Sequence, residues 1–353
     1  MNKKTKKIDI INNILIIRLS SIGDIVLTSP IVRVLKNSYP NSKLYFITFD
    51  HFKETTIFNQ RIDEKIFIPK HLIKSNFANY FGKHLNQLNS TKFDLIIDLQ
   101  NNHYSRKIIS YLDYDHLFKL NKQRLHKLSL VYFKTPLINN FSVIDNYFSC
   151  FGNELNLQND GLGVEFWFDN DFSYPIQKEV KSDRNITISI APGAAHKTKQ
   201  WLPDYFVRII NLLYAKYLSR IEIQLLGSIK ELDIANYIES GIKNELKNFV
   251  SKTNLIETAK LIDKSDLFIT NDTGLMHIAA ARQVPTIAIF GSSVKELGFA
   301  HFSNNFRILE EQLWCRPCSH IGRSYCPLYH FKCMKSIKPK YVFDTCLEML
   351  NQQ

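Results

Sequence analysis

Short apolar runs alternate with longer amphipathic stretches along most of this chain, the pattern of strands crossed by helices. Ile14-Leu15-Ile16-Ile17 is a continuous apolar run of buried-strand type, and the stretch after Gly23 stays amphipathic to about Lys36, with Pro30 early enough to be tolerated near a helix start. Leu44–Thr48, Ile66–Ile68 and Phe93–Leu99 read as further strands. Residues from about Tyr111 to Leu157 are mixed aromatic and basic and read as helical, broken at Pro136. Asp, Asn, Ser, Lys and Pro175 crowd into Asp169–Asn185, which reads as a linker. Beyond it the alternation restarts: strand Ile186–Ile190, helix Pro203–Tyr217, strand Ile221–Leu226, helices near 231–240 and 256–264, then strands Leu267–Thr270 and Thr286–Phe290. Strands alternating with helices predict βαβ units and parallel sheets. The expected organisation is α/β, with two doubly wound domains, residues 1–175 and 186–353, facing a central cleft lined by the carboxyl ends of both sheets.

Length and charge sharpen this picture. At 353 residues the chain has room for two cores, and its 45% hydrophobic content is that of a globular protein. The formal net charge of +12 favours polyanionic partners: nucleic acid, anionic lipid or phosphorylated glycans. The most apolar stretch, Ile8 to Leu27, is interrupted by Asp9, Asn12, Asn13, Arg18 and Asp24, so no transmembrane helix is expected. The basic start lacks the apolar core of a signal peptide, which points to a cytosolic chain.

Three constellations can carry chemistry. The first strand ends in Ser20-Ser21-Ile22-Gly23-Asp24, with a single glycine where a dinucleotide fingerprint needs three. Asp24 at that strand end is either a helix cap or a base able to take a proton from a substrate hydroxyl. The second is the loop Ala191–Pro203, with Gly193, Lys197 and Lys199 before a helix: a solvated basic loop, or an anion cradle. The third is Ser265–Ala281, where a short strand meets a helix rich in Ala, Leu and Met. Asn271, Asp272 and Thr273 each suit its cap, Gly274 admits close approach, and His277 follows one turn later. Free amides at such a helix start suit a phosphate. A base in one domain and two anion-binding loops in the other fit a reaction that expels a diphosphate.

Ile16–Val26 resembles the N-terminal signature of the bacterial heptosyltransferases, glycosyltransferase family 9. Lys199-Gln200-Trp201 with Pro203 is similar to that family's lysine–tryptophan loop, and Asn271–His277 to its Asp-Thr-Gly-x-x-His motif. The resemblance implies a GT-B fold and inverting transfer, without a metal or other cofactor, from a nucleotide-diphosphate sugar such as ADP-heptose to an inner-core lipopolysaccharide acceptor. By position, Asp24 is then the general base and Lys199 neutralises the departing diphosphate, with Lys197 the alternative. Asp272, Thr273, Gly274 and His277 border the donor. The implied partners are the donor, a lipid-linked glycan and the anionic inner face of the inner membrane, bound peripherally from the cytoplasm, with no nucleic acid.

Four of the six cysteines, Cys315, Cys318, Cys326 and Cys333, fall in one short segment with His320 and His330 nearby. The spacing admits a structural zinc site, but lacks a second close pair, and free thiols are the stronger expectation. Two other functions remain at this stage: a sugar-nucleotide epimerase, which needs no acceptor, and a basic nucleic-acid binder, recognisable by steeply salt-dependent affinity.

Overall fold

The computed structural model describes residues 11–75, 77–152, 154–168, 185–299 and 305–351. These fall into two compact units. One ends at Gln123 and resumes from Ser142 to Phe168; the other takes Arg124–Phe141 and continues from Asn185. The expected linker lies, apart from Asn185, outside the described residues.

In the first unit β1 (Asn13–Ile17), β2 (Lys43–Phe49), β3 (Glu64–Ile68), β4 (Lys92–Asp98) and β5 (Asp113–Lys119) form one sheet, ordered β3-β2-β1-β4-β5, with every pairing parallel. Leu15 stands opposite Tyr45 on one side and Ile96 on the other. Central parallel strands are covered on both faces, which is why Ile14–Ile17 needs no alternation and is fully buried. The chain leaves β1 towards β2, while β4 returns on the opposite flank. The carboxyl ends of β1 and β4 therefore mark a topological switch point, where loops diverge and leave a crevice.

The second unit repeats the plan with β6 (Ile186–Ala191), β7 (Ile221–Leu225), β8 (Lys247–Asn248), β9 (Leu267–Asn271), β10 (Thr286–Phe290) and β11 (Phe306–Glu310). Their order is β11-β10-β9-β6-β7-β8, again parallel throughout, with its switch point between β6 and β9. The Pro203–Tyr217 helix, opened by its proline, buries Phe206, Ile209, Ile210 and Leu213 in the same core as Val342, Cys346, Met349 and Leu350 of the Pro339–Asn351 helix. Each such side chain contributes about 1.5–3 kcal/mol on burial, so the far C-terminal helix is part of this unit's core.

Three departures from the sequence pattern have simple causes. The edge strand β5 reads Asp-Tyr-Asp-His-Leu-Phe-Lys, and β8 and β11 also lie at or beside sheet edges; exposed strands lose the continuous apolar signal. The amphipathic stretch after Gly23 is two helices, Ile22–Val26 and Ser29–Ser38, because Pro30 suits the first turn of a new helix but not the interior of a continuing one. The helix Arg124–Phe133, assigned from sequence to the N-terminal half, groups with the second unit: its Leu130 packs on Val294 and Leu297. Among the described residues no helix is long and apolar enough to cross a membrane.

Candidate functional site

At the switch point of the first unit the chain turns out of β1 under tight control. The backbone amides of Leu19 and Ser20 both donate to Gln100 Oε1, at 2.9 and 3.3 Å, which ties the loop to the end of β4. Ser21, not Asp24, is the N-cap of the Ile22–Val26 helix, and Asp24 is its reciprocal partner: Oδ2 accepts from the Ser21 amide at 3.2 Å and its hydroxyl at 2.8 Å. Asp24 Oδ1 accepts from Arg18 at 2.8 Å, and Arg18 also donates to the Leu99 carbonyl at 2.5 Å and lies 5.7 Å from the Tyr147 ring centroid. Burial alone would raise the Asp24 carboxyl; the Arg18 guanidinium and the two Ser21 donors outweigh it and hold the group below its ordinary value. Asp24 is thus a carboxylate, about a quarter exposed at its side chain, with its charge fixed.

Three strand ends build the corresponding region of the second unit. Lys199 Nζ meets Asp272 Oδ2 at 2.6 Å, and the same oxygen accepts from the Ser293 hydroxyl at 2.6 Å. These residues follow β6, β9 and β10, which are neighbours in the sheet. The carboxylate of Asp272 therefore serves the lysine and the serine rather than capping the next helix. The N-cap of Gly274–Ala281 is Thr273, whose side chain accepts nothing from the first turn; its Oγ1 lies 3.3 Å from Thr270 Oγ1. That leaves the first-turn amides of Gly274 and its neighbours without a side-chain cap, with the positive end of the helix dipole beside Lys199. His277 lies one turn in, buried, edge-to-face with Phe299 at 6.1 Å. Lys197 is exposed, whereas Lys199 is partly buried.

The lysine loop is held from behind. Asn271, wholly buried, donates to the carbonyls of Pro192 and Gly193 at 2.8 and 3.1 Å and accepts from the Trp201 amide at 3.0 Å. The Thr198 hydroxyl accepts from the Arg323 amide at 2.8 Å and donates to its carbonyl at 3.1 Å. The Ser292 amide donates to the Thr198 carbonyl at 3.1 Å. That approach needs the glycine at 291, where a Cβ would fall 2.6 Å from the same carbonyl and 2.5 Å from Met334 Cε. Arg316, buried, donates to the carbonyls of Gly291 at 2.5 Å and Ser293 at 2.6 Å, to Glu310 Oε2 at 2.8 Å, and to the Glu311 carbonyl. The cysteine-rich segment is therefore a brace for the Lys199–Asp272–Ser293 chain.

Among the described residues no three of His, Cys, Asp and Glu of this segment gather as ligands, and all six cysteines are free thiols. Cys315 Sγ lies 3.8 Å from His330 Nε2. Burial pushes the Cys333 thiol up to about 11, against a weaker opposing pull from Arg316.

Lys199, Asp272, Thr273, Gly274 and His277, singled out from sequence, all stand in the second unit, and Asp24 in the first. Sequence reasoning missed Arg18 and Gln100 as working parts, read Asn271 as a cap candidate and not as a loop clamp, and missed Ser293 and Arg316. A charged or amide side chain at the carboxyl end of a buried strand was the available signal for the first three. Nothing local marks Ser293 or Arg316.

The chain matches the sequence model of glycosyltransferase family 9 (heptosyltransferase) over residues 81–328. It is 27% identical over 334 residues to lipooligosaccharide heptosyltransferase 2 of Campylobacter jejuni, covering 93% of this chain and 95% of that protein. Its structure resembles E. coli ADP-heptose lipopolysaccharide heptosyltransferase II, with TM-score 0.71 and 19% identity over 96% of this chain and 99% of the other. An E. coli heptosyltransferase solved with ADP gives TM-score 0.70 at 17% identity, over 96% and 99%. These likenesses show the GT-B fold, two parallel-sheet α/β domains.

Proposed function

The chain belongs to glycosyltransferase family 9, the heptosyltransferases, and on that footing we propose that it transfers heptose from ADP-heptose to the inner core of a lipopolysaccharide, with inversion and without a metal. The observation that carries the reading is the chain Lys199–Asp272–Ser293 beside the first-turn amides of Gly274–Ala281. A departing diphosphate develops negative charge, and a lysine with a helix N-terminus aimed at it replaces the cation that a metal supplies elsewhere. Asp272 holds Lys199 in place before the donor arrives, and the lysine exchanges this partner for phosphate oxygen when it does. That is why Lys199 is the better candidate than Lys197.

In the transfer step an acceptor hydroxyl oxygen bonds to the anomeric carbon as the bond from that carbon to the diphosphate oxygen breaks. The electron pair leaves with ADP and the hydroxyl proton passes to Asp24. Attack opposite the leaving group inverts the centre. Arg18 keeps Asp24 ionised, so the base is ready at neutral pH. The acceptor is lipid-linked, and the protein works from the cytoplasm, peripherally, on the inner face of the inner membrane; its +12 charge favours that surface. Calorimetry with ADP, UDP and GDP tests the donor class: ADP should bind tightest, and preference for another base sinks the heptose assignment. Donor consumption that needs no core acceptor would favour an epimerase. Loss of transfer in EDTA, restored by a divalent ion, would overturn the metal-free step.

A further inference from the structure

The helix Arg124–Phe133 is amphipathic in an unusual sense, because it has two apolar faces. One is buried, with Leu130 on Val294 and Leu297. The other presents Leu125, Leu128 and Tyr132, spaced i, i+3 and i+7, to solvent, followed by Phe133. All four are between 47% and 77% exposed. The loop that follows is fastened to the cysteine-rich segment: Lys134 Nζ donates to the Pro317 carbonyl at 2.8 Å and approaches that of Cys315 at 3.4 Å. There Trp314, next in sequence to Cys315, is 78% exposed, and Ile321 is also exposed. His320, exposed in the same segment, feels the charges of both Lys127, on this helix, and Lys199, in the donor half of the site.

Charge selects what covers this surface. The sequence has no Asp or Glu between Asp115 and Asp145, and none between Glu311 and Asp344. Neither apolar strip carries an acidic residue of its own, and Arg124 and Arg323 are exposed, while Glu296 and Glu311 beside them are half-buried. We propose that the exposed face of Arg124–Phe133, together with Trp314 and Ile321, docks this protein on an anionic lipid bilayer. Leu and Phe side chains enter the acyl boundary, Trp314 and Tyr132 sit at headgroup depth, and the cations meet lipid phosphates. A second copy of the chain is a poor occupant, because an isologous contact would face two cationic strips with each other. The inference rests on the lipid-linked acceptor proposed above and locates the surface that brings the donor half to it.

Sedimentation with vesicles of phosphatidylglycerol and phosphatidylethanolamine tests this in the absence of donor and acceptor, so its outcome stands apart from that of the transfer assay. The wild-type chain should pellet with these vesicles and not with phosphatidylcholine alone. Combining Leu125→Ser, Leu128→Ser and Tyr132→Ser should lower partitioning at least tenfold, and Arg124→Gln about fivefold, the worth of one cation at an anionic surface. ADP affinity of the triple variant reports its fold and should be unchanged; if it falls, the single Leu125→Ser, equally exposed, decides. Equal pelleting of wild type and variant overturns the proposal, as does wild-type indifference to anionic lipid. So does a lipid-free chain that self-associates through these residues.

Discussion

Replacing Asp24 by asparagine separates chemistry from structure more cleanly than truncation to alanine. Alanine removes the reciprocal partner of Ser21 as well as the charge, and leaves Arg18, buried at the end of β1, facing an empty space. Asparagine keeps an oxygen for the Ser21 donors at 2.8 and 3.2 Å but turns its amide N–H groups toward Arg18, so the charge and the acceptor there are both lost. A hydrogen bond to a charged group is worth about 1.5–3 kcal/mol. For a unit of this size that is a fall in melting temperature of roughly 3–12 °C. Alanine should cost about 1 kcal/mol more, from the Ser21 donors it leaves without their acceptor. Transfer should suffer far more: removing a positioned general base costs about 10²–10⁴ in rate. ADP affinity should be unchanged, because every residue assigned to the diphosphate lies in the other unit. The assay is single-turnover transfer to purified core acceptor, with calorimetric ADP titration and a thermal melt on the same preparation. Turnover within tenfold of wild type would remove Asp24 as the base. A matching loss of ADP affinity would refute the division of labour between the units.

Ser293→Ala deletes the 2.6 Å hydroxyl donor to Asp272 and should weaken ADP binding about tenfold, the value of one hydrogen bond to a carboxylate; calorimetry that finds no change would leave the serine a bystander. Gly291→Ala forces a methyl onto the Thr198 carbonyl and Met334 and should cost about 1–3 kcal/mol in denaturant unfolding together with ADP affinity, since the displaced loop carries Lys199. Because the folded state depresses the Asp24 pKa, its stabilisation is complete above the ordinary carboxylate value near 4 and is lost as pH falls below it. Melts of the wild type should therefore lose this increment only under about pH 4, and Asp24→Asn should lack it at every pH; an Asp24-dependent loss at pH 6 would contradict the ion pair.

How far the sequence foretold all this depends on where each residue sits. Ile14–Ile17 and Leu267–Thr270 were plain because central parallel strands must be apolar on both faces. Phe306–Glu310 was not, because a strand at the sheet edge is free to carry Arg307 and Glu310. Asp24, Lys199 and Asp272 could be found because strand ends of parallel sheets collect chemistry. Their partners were out of reach. Arg18 is six residues from Asp24, but no rule of spacing says that the guanidinium turns back to it instead of outward. Ser293 reaches Asp272 only because β10 lies beside β9, and Arg316 reaches the Gly291 carbonyl only after the chain has passed through β11. The cap of Gly274–Ala281 shows the limit from the other side. Three good capping residues stood in a row, and the one with the carboxylate was claimed by a lysine seventy-three residues away in sequence.

The brace formed by Arg316 and Arg323 also sets an order on biosynthesis. Lys199 and Asp272 leave the ribosome well before the residues that hold their loops, and the Trp201 indole waits for the Ile337 carbonyl, 2.9 Å away. A nascent chain halted soon after Ser293 already carries every residue assigned to the diphosphate, yet lacks the clamp on both loops. Competence to bind the donor thus arrives with the last few dozen residues translated. Immobilised ADP should retain full-length chains and let stalled ones pass.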